Sequence, residues 1–228
     1  AAFTNLSQDH LDFHGTLEDY FLAKSRLFAA DSRVRSQSAC VCVDDDWGRR
    51  MADVAASGGS DVITVSVTGS ADWTVADWAP DPSGAQTFTL LGPGGGRHHA
   101  SIRLPGRYNV ANAVLAAAIC DSAGVDVQRA VAGMKEVDVP GRVQRISRGQ
   151  NFLAVVDYAH KPAAVEAVIE TLRKQTTGRV AVVLGAGGNR DTTKRAPMGA
   201  AGARGADLLV ITDDNPRSED PAAIREAV

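Results

Sequence analysis

Several polar side chains fall at spacings that can do chemistry, and none of them forms a nucleophile triad. Gly185-Ala-Gly-Gly-Asn-Arg-Asp191 follows an apolar run, the position of a phosphate-binding loop. Its last expected glycine is Arg190, which disfavours a dinucleotide site. Asp214-Asn-Pro-Arg217 taken alone reads as a turn, though the rigid fork of an arginine such as Arg217 suits a carboxylate. Tyr108 and Asn112 are spaced i,i+4, so on a helix they share a face and can jointly meet a ligand. A local cap for Asn112 and a surface ion pair for Arg142 are the structural alternatives. Lys24 in isolation is a helix lysine with its head in water. His10 has a packed or capping alternative, and His14 reads as structural. No Gly-Lys-Thr/Ser occurs, and Gly92-Pro-Gly-Gly-Gly-Arg97 lacks the lysine and hydroxyl of a phosphate-binding P-loop, so it reads as a hairpin turn.

The elements that must carry these residues alternate strand and helix. Leu17, Tyr20, Phe21, Leu27 and Phe28 recur at helical spacing after a loose capping box at Thr16-Leu-Glu-Asp19, which predicts a helix from Leu17 to about Ala29 carrying Lys24. Ser38 to Asp44 reads as an alternating strand with Cys40 and Cys42 on one face as buried thiols, and neither redox chemistry nor zinc is indicated. A helix near Asp46 to Ala56 and a strand from Val62 to Val67 continue a β-α-β rhythm suited to a parallel sheet. From Trp73 to Leu104 the rhythm changes to short strands around turn-rich segments such as Pro80-Asp-Pro-Ser-Gly84. Tyr108 to Ala123 is a buried, alanine-rich helix closed by Gly124, and a second short helix follows. Beyond Val139-Pro-Gly141, strands (Phe152 to Val156, Val180 to Leu184, Asp207 to Thr212) alternate with helices (Ala163 to Lys174, Lys194 to Ala203), and a further helix starts at Asp220. The fold class is therefore α/β in two domains, with the boundary at 139/140.

Taken together and in order, four segments resemble the Mur ligase family. They are Thr4-Asn-Leu-Ser-Gln-Asp-His-Leu-Asp-Phe-His14 with Ala23-Lys-Ser-Arg-Leu-Phe28; Leu104-Pro-Gly-Arg-Tyr-Asn-Val-Ala-Asn112; Pro140-Gly-Arg-Val143 with Val156-Asp-Tyr-Ala-His-Lys-Pro162; and Leu184-Gly-Ala-Gly-Gly-Asn-Arg-Asp191 with Thr212-Asp-Asp-Asn-Pro-Arg217. The resemblance implies a partial central ATPase domain over 1–139, without its P-loop, and the first part of a Rossmann-like amino-acid-binding domain over 140–228. It implies that Lys24 is carbamylated and binds Mg²⁺, a reaction requiring the neutral amine that partial burial makes accessible. His10 is implied at a second magnesium or at phosphates. Tyr108 and Asn112 are implied at adenine, Arg142 and Asp157 at ribose and phosphate, and Arg190, Asp214, Asn215 and Arg217 at the incoming amino acid. Asp-Asn-Pro-Arg is the form carried by the family's diaminopimelate-adding members, and diaminopimelate is in effect lysine with an added terminal carboxylate. Two local departures stand out: Asn189 replaces a carboxylate, and Thr192-Thr-Lys-Arg195 replaces the usual Lys-Gly-Lys-Arg.

The expected activity is ATP-dependent addition of meso-diaminopimelate to UDP-N-acetylmuramoyl-L-alanyl-D-glutamate in peptidoglycan precursor synthesis, through an acyl phosphate. A lysine-adding member or a folylpolyglutamate synthetase is the alternative within the chemistry, and a non-catalytic α/β ligand-binding module the alternative outside it. A chain of 228 residues can bury a sizeable core. A net charge of -3 and pI near 6.0 give no basic field for nucleic acid. No apolar run approaches the roughly 20 residues of a membrane span and no signal segment opens the chain, so a cytoplasmic protein is expected. The start at Ala1-Ala-Phe-Thr4 and the stop at Val228 suggest a piece of a longer chain. The abundance of alanine, arginine and aspartate resembles actinobacterial or mycobacterial sequences.

Overall fold

The computed structural model describes residues 1–8, 10–81 and 84–228. They form two compact units: Ala1–Leu6 with Glu18–Asp138, and Ser7–Leu17 with Val139–Val228.

In the first unit, β1 (Ala2–Phe3), β2 (Ser38–Cys42) and β3 (Asp61–Val65) form a parallel sheet in the order β1-β2-β3. The sequence predicts an alternating β2, but Ala39, Cys40, Val41 and Cys42 are all buried. The reason is its central position: α3 (Asp46–Ser57) and α4 (Arg107–Ser122) both pack on it, and parallel strands covered on both faces lose alternation. Burial pushes the Cys42 thiol up to about 11 and also raises that of Cys40. These two thiols should resist a disulfide-exchange reagent in the folded protein at pH 8, while half-buried Cys120 reacts. Thiol titration before and after denaturation checks this; rapid reaction of Cys42 in the native state contradicts it.

The helix carrying Lys24, α2 (Leu17–Ser25), lies after the four-residue α1 (Leu11–His14) and stops earlier than the pattern predicts. Ser25 Oγ donates back to Leu22 O (2.8 Å), and the next turn tightens through Phe28 N to Ser25 O (2.8 Å) and Leu27 N to Lys24 O (3.3 Å). A serine bonding its own helix competes with continuation, and the three-residue closure is a 3₁₀-like ending. In α3 the start is fixed by Asp45, whose carboxylate accepts from Gly48 N at 2.7 Å.

The turn-rich middle becomes an antiparallel meander of β4 (Thr74–Pro80), β5 (Gln86–Leu91) and β6 (Arg97–Ile102). Pro82 and Ser83, inside the turn expected at residues 80–84, lie outside the described residues. The glycine run at 92–96 is the expected hairpin connection, a 3₁₀ turn at Pro93–Gly95 with Gly94 and Gly95 at positive φ. One apolar cluster joins Cys40 and Val65 of the parallel sheet, Phe88, Leu90, Ala100 and Ile102 of the meander, Val110 and Val114 of α4, and Val131 of α5 (Val127–Met134). Gly124 at φ 79 closes α4 as expected, with Val125 N returning to Cys120 O at 2.9 Å.

In the second unit, β7 (Gln144–Ile146) pairs antiparallel with β8 (Ala154–Val156). The parallel pair β9 (Ala181–Leu184) and β10 (Leu208–Ile211) is covered by α6 (Pro162–Arg173) and α7 (Arg195–Gly205), with Val165, Ile169, Leu184, Met198 and Ala201 as the core. The last helix, α8 (Pro221–Ala227), is capped by Asp220, which accepts from Ala222 N at 3.0 Å. Although early in the chain, Ser7–Leu17 packs with this unit, and Gln8 Nε2 donates to Thr193 Oγ1 at 3.2 Å. Among the described residues no helix is long and apolar enough to cross a membrane.

Candidate functional site

The densest assembly of the candidate residues lies beyond the carboxyl ends of β9 and β10, where parallel α/β sheets place their ligands. Each strand runs into a loop, Gly185–Asp191 from β9 and Thr212–Glu219 from β10, and small residues let the loops touch. A Cβ on Gly188 would lie 1.8 Å from Pro216 O, and one on Gly185 would meet Asp214 Cβ and Thr212 O at 2.8 Å. Gly188 N donates to Asn215 O at 3.1 Å, and Arg217 Nη1 donates back to Gly188 O at 2.6 Å. A Cβ on Gly187 would sit 3.0 Å from Arg217 Nη1 and 3.9 Å from Arg190 Cγ, so the two arginines flank one glycine. Both are exposed, as are Asp214 and Asn215. A guanidinium such as that of Arg217, with Arg190 beside it, is suited to carboxylate.

Backbone strain is concentrated on the same loops. Asn189 (φ 52), Asn215 (φ 44) and Arg217 (φ 54) are left-handed, a conformation asparagine tolerates better than most residues. Asn189 Oδ1 accepts from Ser218 N (3.1 Å) and Oγ (2.9 Å). Its backbone N–H donates to Glu219, which also receives buried Arg195 at 2.8 Å. The Asn189 N–H first, and Arg195 second, hold the Glu219 carboxyl below the usual range. Its contribution is therefore complete above the unfolded value of roughly 4.3, and it is lost only as pH falls through the lowered folded value. Gly188→Ala should lower stability by about 1–3 kcal/mol, because its clash is with backbone that no rotamer can relieve. Gly133→Ala, inside α5 with open space around it, should instead raise it slightly. Calorimetric melting of both variants tests this; an unchanged melting temperature for Gly188→Ala contradicts the close approach.

The structure also brings Arg142 and Asp157 together. Asp157, just past β8, accepts from Val143 N through Oδ2 and from Ala159 N through Oδ1, both at 2.7 Å. Val143 takes φ 44, an outlier for a β-branched residue, and is buried. The carboxylate thus pins the Gly141–Val143 turn and sets Arg142 over the exposed Tyr158 ring, 4.8 Å from its centroid. Each carboxylate oxygen keeps a further lone pair for a ligand. His10 belongs to this unit too; it is left-handed (φ 53) and exposed, and its carbonyl opens α1 by accepting from His14 N at 2.9 Å.

In the first unit, Lys24 is half-buried with Nζ 4.8 Å from the Tyr20 ring centroid. Tyr108 and Asn112 lie one turn apart on α4, both exposed. Sequence reasoning passed over Asn109 between them: its Oδ1 accepts from Asn112 Nδ2 at 3.4 Å and its Nδ2 donates to Pro105 O at 2.8 Å. The i,i+3 asparagine pair was the available signal. Arg195 and Glu219, which lock the two loops, carried no such signal, since they are 24 positions apart.

Residues 1–120 match the Mur ligase middle domain, and residues 141–228 the Mur ligase glutamate ligase domain. The chain belongs to the Mur ligase family. It is 57% identical over 229 residues to UDP-N-acetylmuramoyl-L-alanyl-D-glutamate--2,6-diaminopimelate ligase of Corynebacterium glutamicum, covering 100% of this chain and 44% of that protein. The protein of the same name from Streptomyces coelicolor is 51% identical, with 98% and 44% covered. A solved structure of a ligase of this name aligns with a TM-score of 0.65 at 36% identity over 99% of this chain and 46% of that one. Mycobacterium tuberculosis folylpolyglutamate synthase shares the fold, with a TM-score of 0.77 at 24% identity over 99% of this chain and 50% of that one. The chain spans about 44% of the length of the curated Mur ligase relatives it matches.

Proposed function

We propose that this chain is the nucleotide- and amino-acid-binding portion of an ATP-dependent ligase that joins meso-diaminopimelate to the D-glutamyl γ-carboxylate of UDP-N-acetylmuramoyl-L-alanyl-D-glutamate in the cytoplasm. The observation that carries this reading is the pair Arg190 and Arg217 flanking Gly187 at the carboxyl ends of β9 and β10. We assign residues 1–139 to the ATP-binding domain and 140–228 to the amino-acid-binding domain. The extra carboxylate of diaminopimelate would lie against the two guanidinium groups, with Asp214 and Asn215 offering oxygens and an amide to its ammonium and carboxylate. Lysine lacks that carboxylate and cannot make the charge-assisted hydrogen bonds that the arginine pair offers, so diaminopimelate should be preferred.

In the reaction, the γ-carboxylate attacks the γ-phosphorus of ATP, ADP leaves, and the amine then attacks the acyl carbonyl and expels inorganic phosphate. The protein's part is positioning and charge neutralisation. Tyr108 and Asn112 offer a ring and an amide to adenine, and Arg142, stacked over Tyr158, and Asp157 meet ribose or phosphate. Magnesium, when bound, would offset the charge of the phosphates. Among the described residues no cluster of three or more His, Cys, Asp or Glu can hold a metal ion. Magnesium commonly takes one or two protein ligands and completes its shell with phosphate and water. We assign Lys24, as its carbamate, to that role, and His10 to a second magnesium or to phosphates.

An oxygen-tracing experiment tests the route. With the γ-carboxylate labelled with ¹⁸O, the full-length ligase should release phosphate carrying one labelled oxygen. Unlabelled phosphate would rule out the acyl phosphate.

A further inference from the structure

The start of α4 has no side-chain cap, yet it presents Tyr108 and Asn112, so tertiary bonds must fix it. One buried amide supplies them. Gln86, at the first position of β5 and 1% exposed, donates from Nε2 to Leu104 O (2.6 Å) and Gly106 O (3.0 Å), while its Oε1 accepts from Trp78 Nε1 at 2.9 Å. A second tie is Arg107, which donates to Val67 O and lies 5.3 Å from the Trp78 ring centroid. Val67 is in turn gripped by Asp44, whose Oδ1 accepts from Val67 N at 3.0 Å and Thr68 Oγ1 at 2.7 Å. Gly106 holds φ 94, and a Cβ there would lie 2.5 Å from the Tyr108 ring, so the ring rests directly on this turn. Moving the turn moves the ring.

We propose that Gln86 is a positioning residue for nucleotide recognition: through the 104–106 turn it sets the depth and tilt of the Tyr108–Asn112 face of α4. This inference rests on the reading of that face as the adenine contact. It gives the antiparallel meander a task, since β4 and β5 meet at the Trp78–Gln86 bond that aims the amide. No charge or local motif marks Gln86, and its partners Trp78, Leu104 and Gly106 are 8, 18 and 20 positions away.

The test compares variants of the full-length ligase. Gln86→Met keeps the volume and removes all three bonds. Its KM for ATP should rise about tenfold, the scale of a lost buried hydrogen-bond set, with kcat at saturating ATP held within about threefold. Its preference for ATP over GTP should weaken, a change that loss of stability alone does not produce. Trp78→Phe, a milder change at a partly exposed site, should move KM for ATP in the same direction by a few-fold. Leu90→Ala, fully buried on the same strand, serves as the stability control and should lower the melting temperature without moving KM for ATP. Asn112→Ala separates the two readings. If Asn112→Ala raises KM for ATP while Gln86→Met and Trp78→Phe do not, the positioning role is overturned. If Leu90→Ala moves KM as much as Gln86→Met, the effect is general softening and the proposal also falls. If Asn112→Ala itself leaves KM for ATP unmoved, the adenine reading fails, and the positioning role falls with it.

Discussion

Arg217→Ala should raise the KM for diaminopimelate about 100-fold while leaving that for ATP within about threefold. Loss of two charge-assisted hydrogen bonds at roughly 1.5 kcal/mol or more each accounts for that factor. The geometry divides the guanidinium between two tasks. Nη1 is committed to Gly188 O at 2.6 Å, which fixes the fork, and the remaining N–H groups are left for a carboxylate. Arg217→Lys should recover little, because a single ammonium cannot hold the Gly188 carbonyl and present a planar fork together. Arg190→Ala should act in the same direction, since both side chains border Gly187. Steady-state kinetics with each substrate varied in turn decides this, and an equal rise in both KM values contradicts the assignment.

Lys24→Met should lower kcat by about 10²–10³-fold, the scale for removing one electrostatic stabiliser of a developing charge. KM for diaminopimelate should move far less. The assignment also predicts a chemical signature: with ¹³C-bicarbonate, the wild-type ligase should show a carbamate resonance that Lys24→Met lacks. A variant with full kcat, or a resonance that survives the substitution, contradicts the role.

The order of strands and helices was legible because apolar periodicity and turn residues agree along most of the chain. The breakdowns are specific. At β2, two covering helices replaced alternation with burial of every residue from Ala39 to Cys42. In α2, a single serine hydroxyl ended the helix before the apolar pattern did. The candidate site residues were proposed through motifs, which mark residue types suited to ligands. The residues that hold them in place were not, because nothing local distinguishes Gln86, Asp44, Arg195 or Glu219 from ordinary polar positions. Asn189 is the instructive case: noted in the sequence only as a local departure, it takes a left-handed backbone and its Oδ1 accepts from Ser218 of the neighbouring loop.

Phosphate release by the full-length ligase, supplied with Mg-ATP and UDP-N-acetylmuramoyl-L-alanyl-D-glutamate, tests the central claim when meso-diaminopimelate and L-lysine are compared as the added amine. The paired arginines at Gly187 predict release that depends on diaminopimelate and is negligible with lysine. Equal release with lysine would contradict the carboxylate recognition assigned to Arg190 and Arg217.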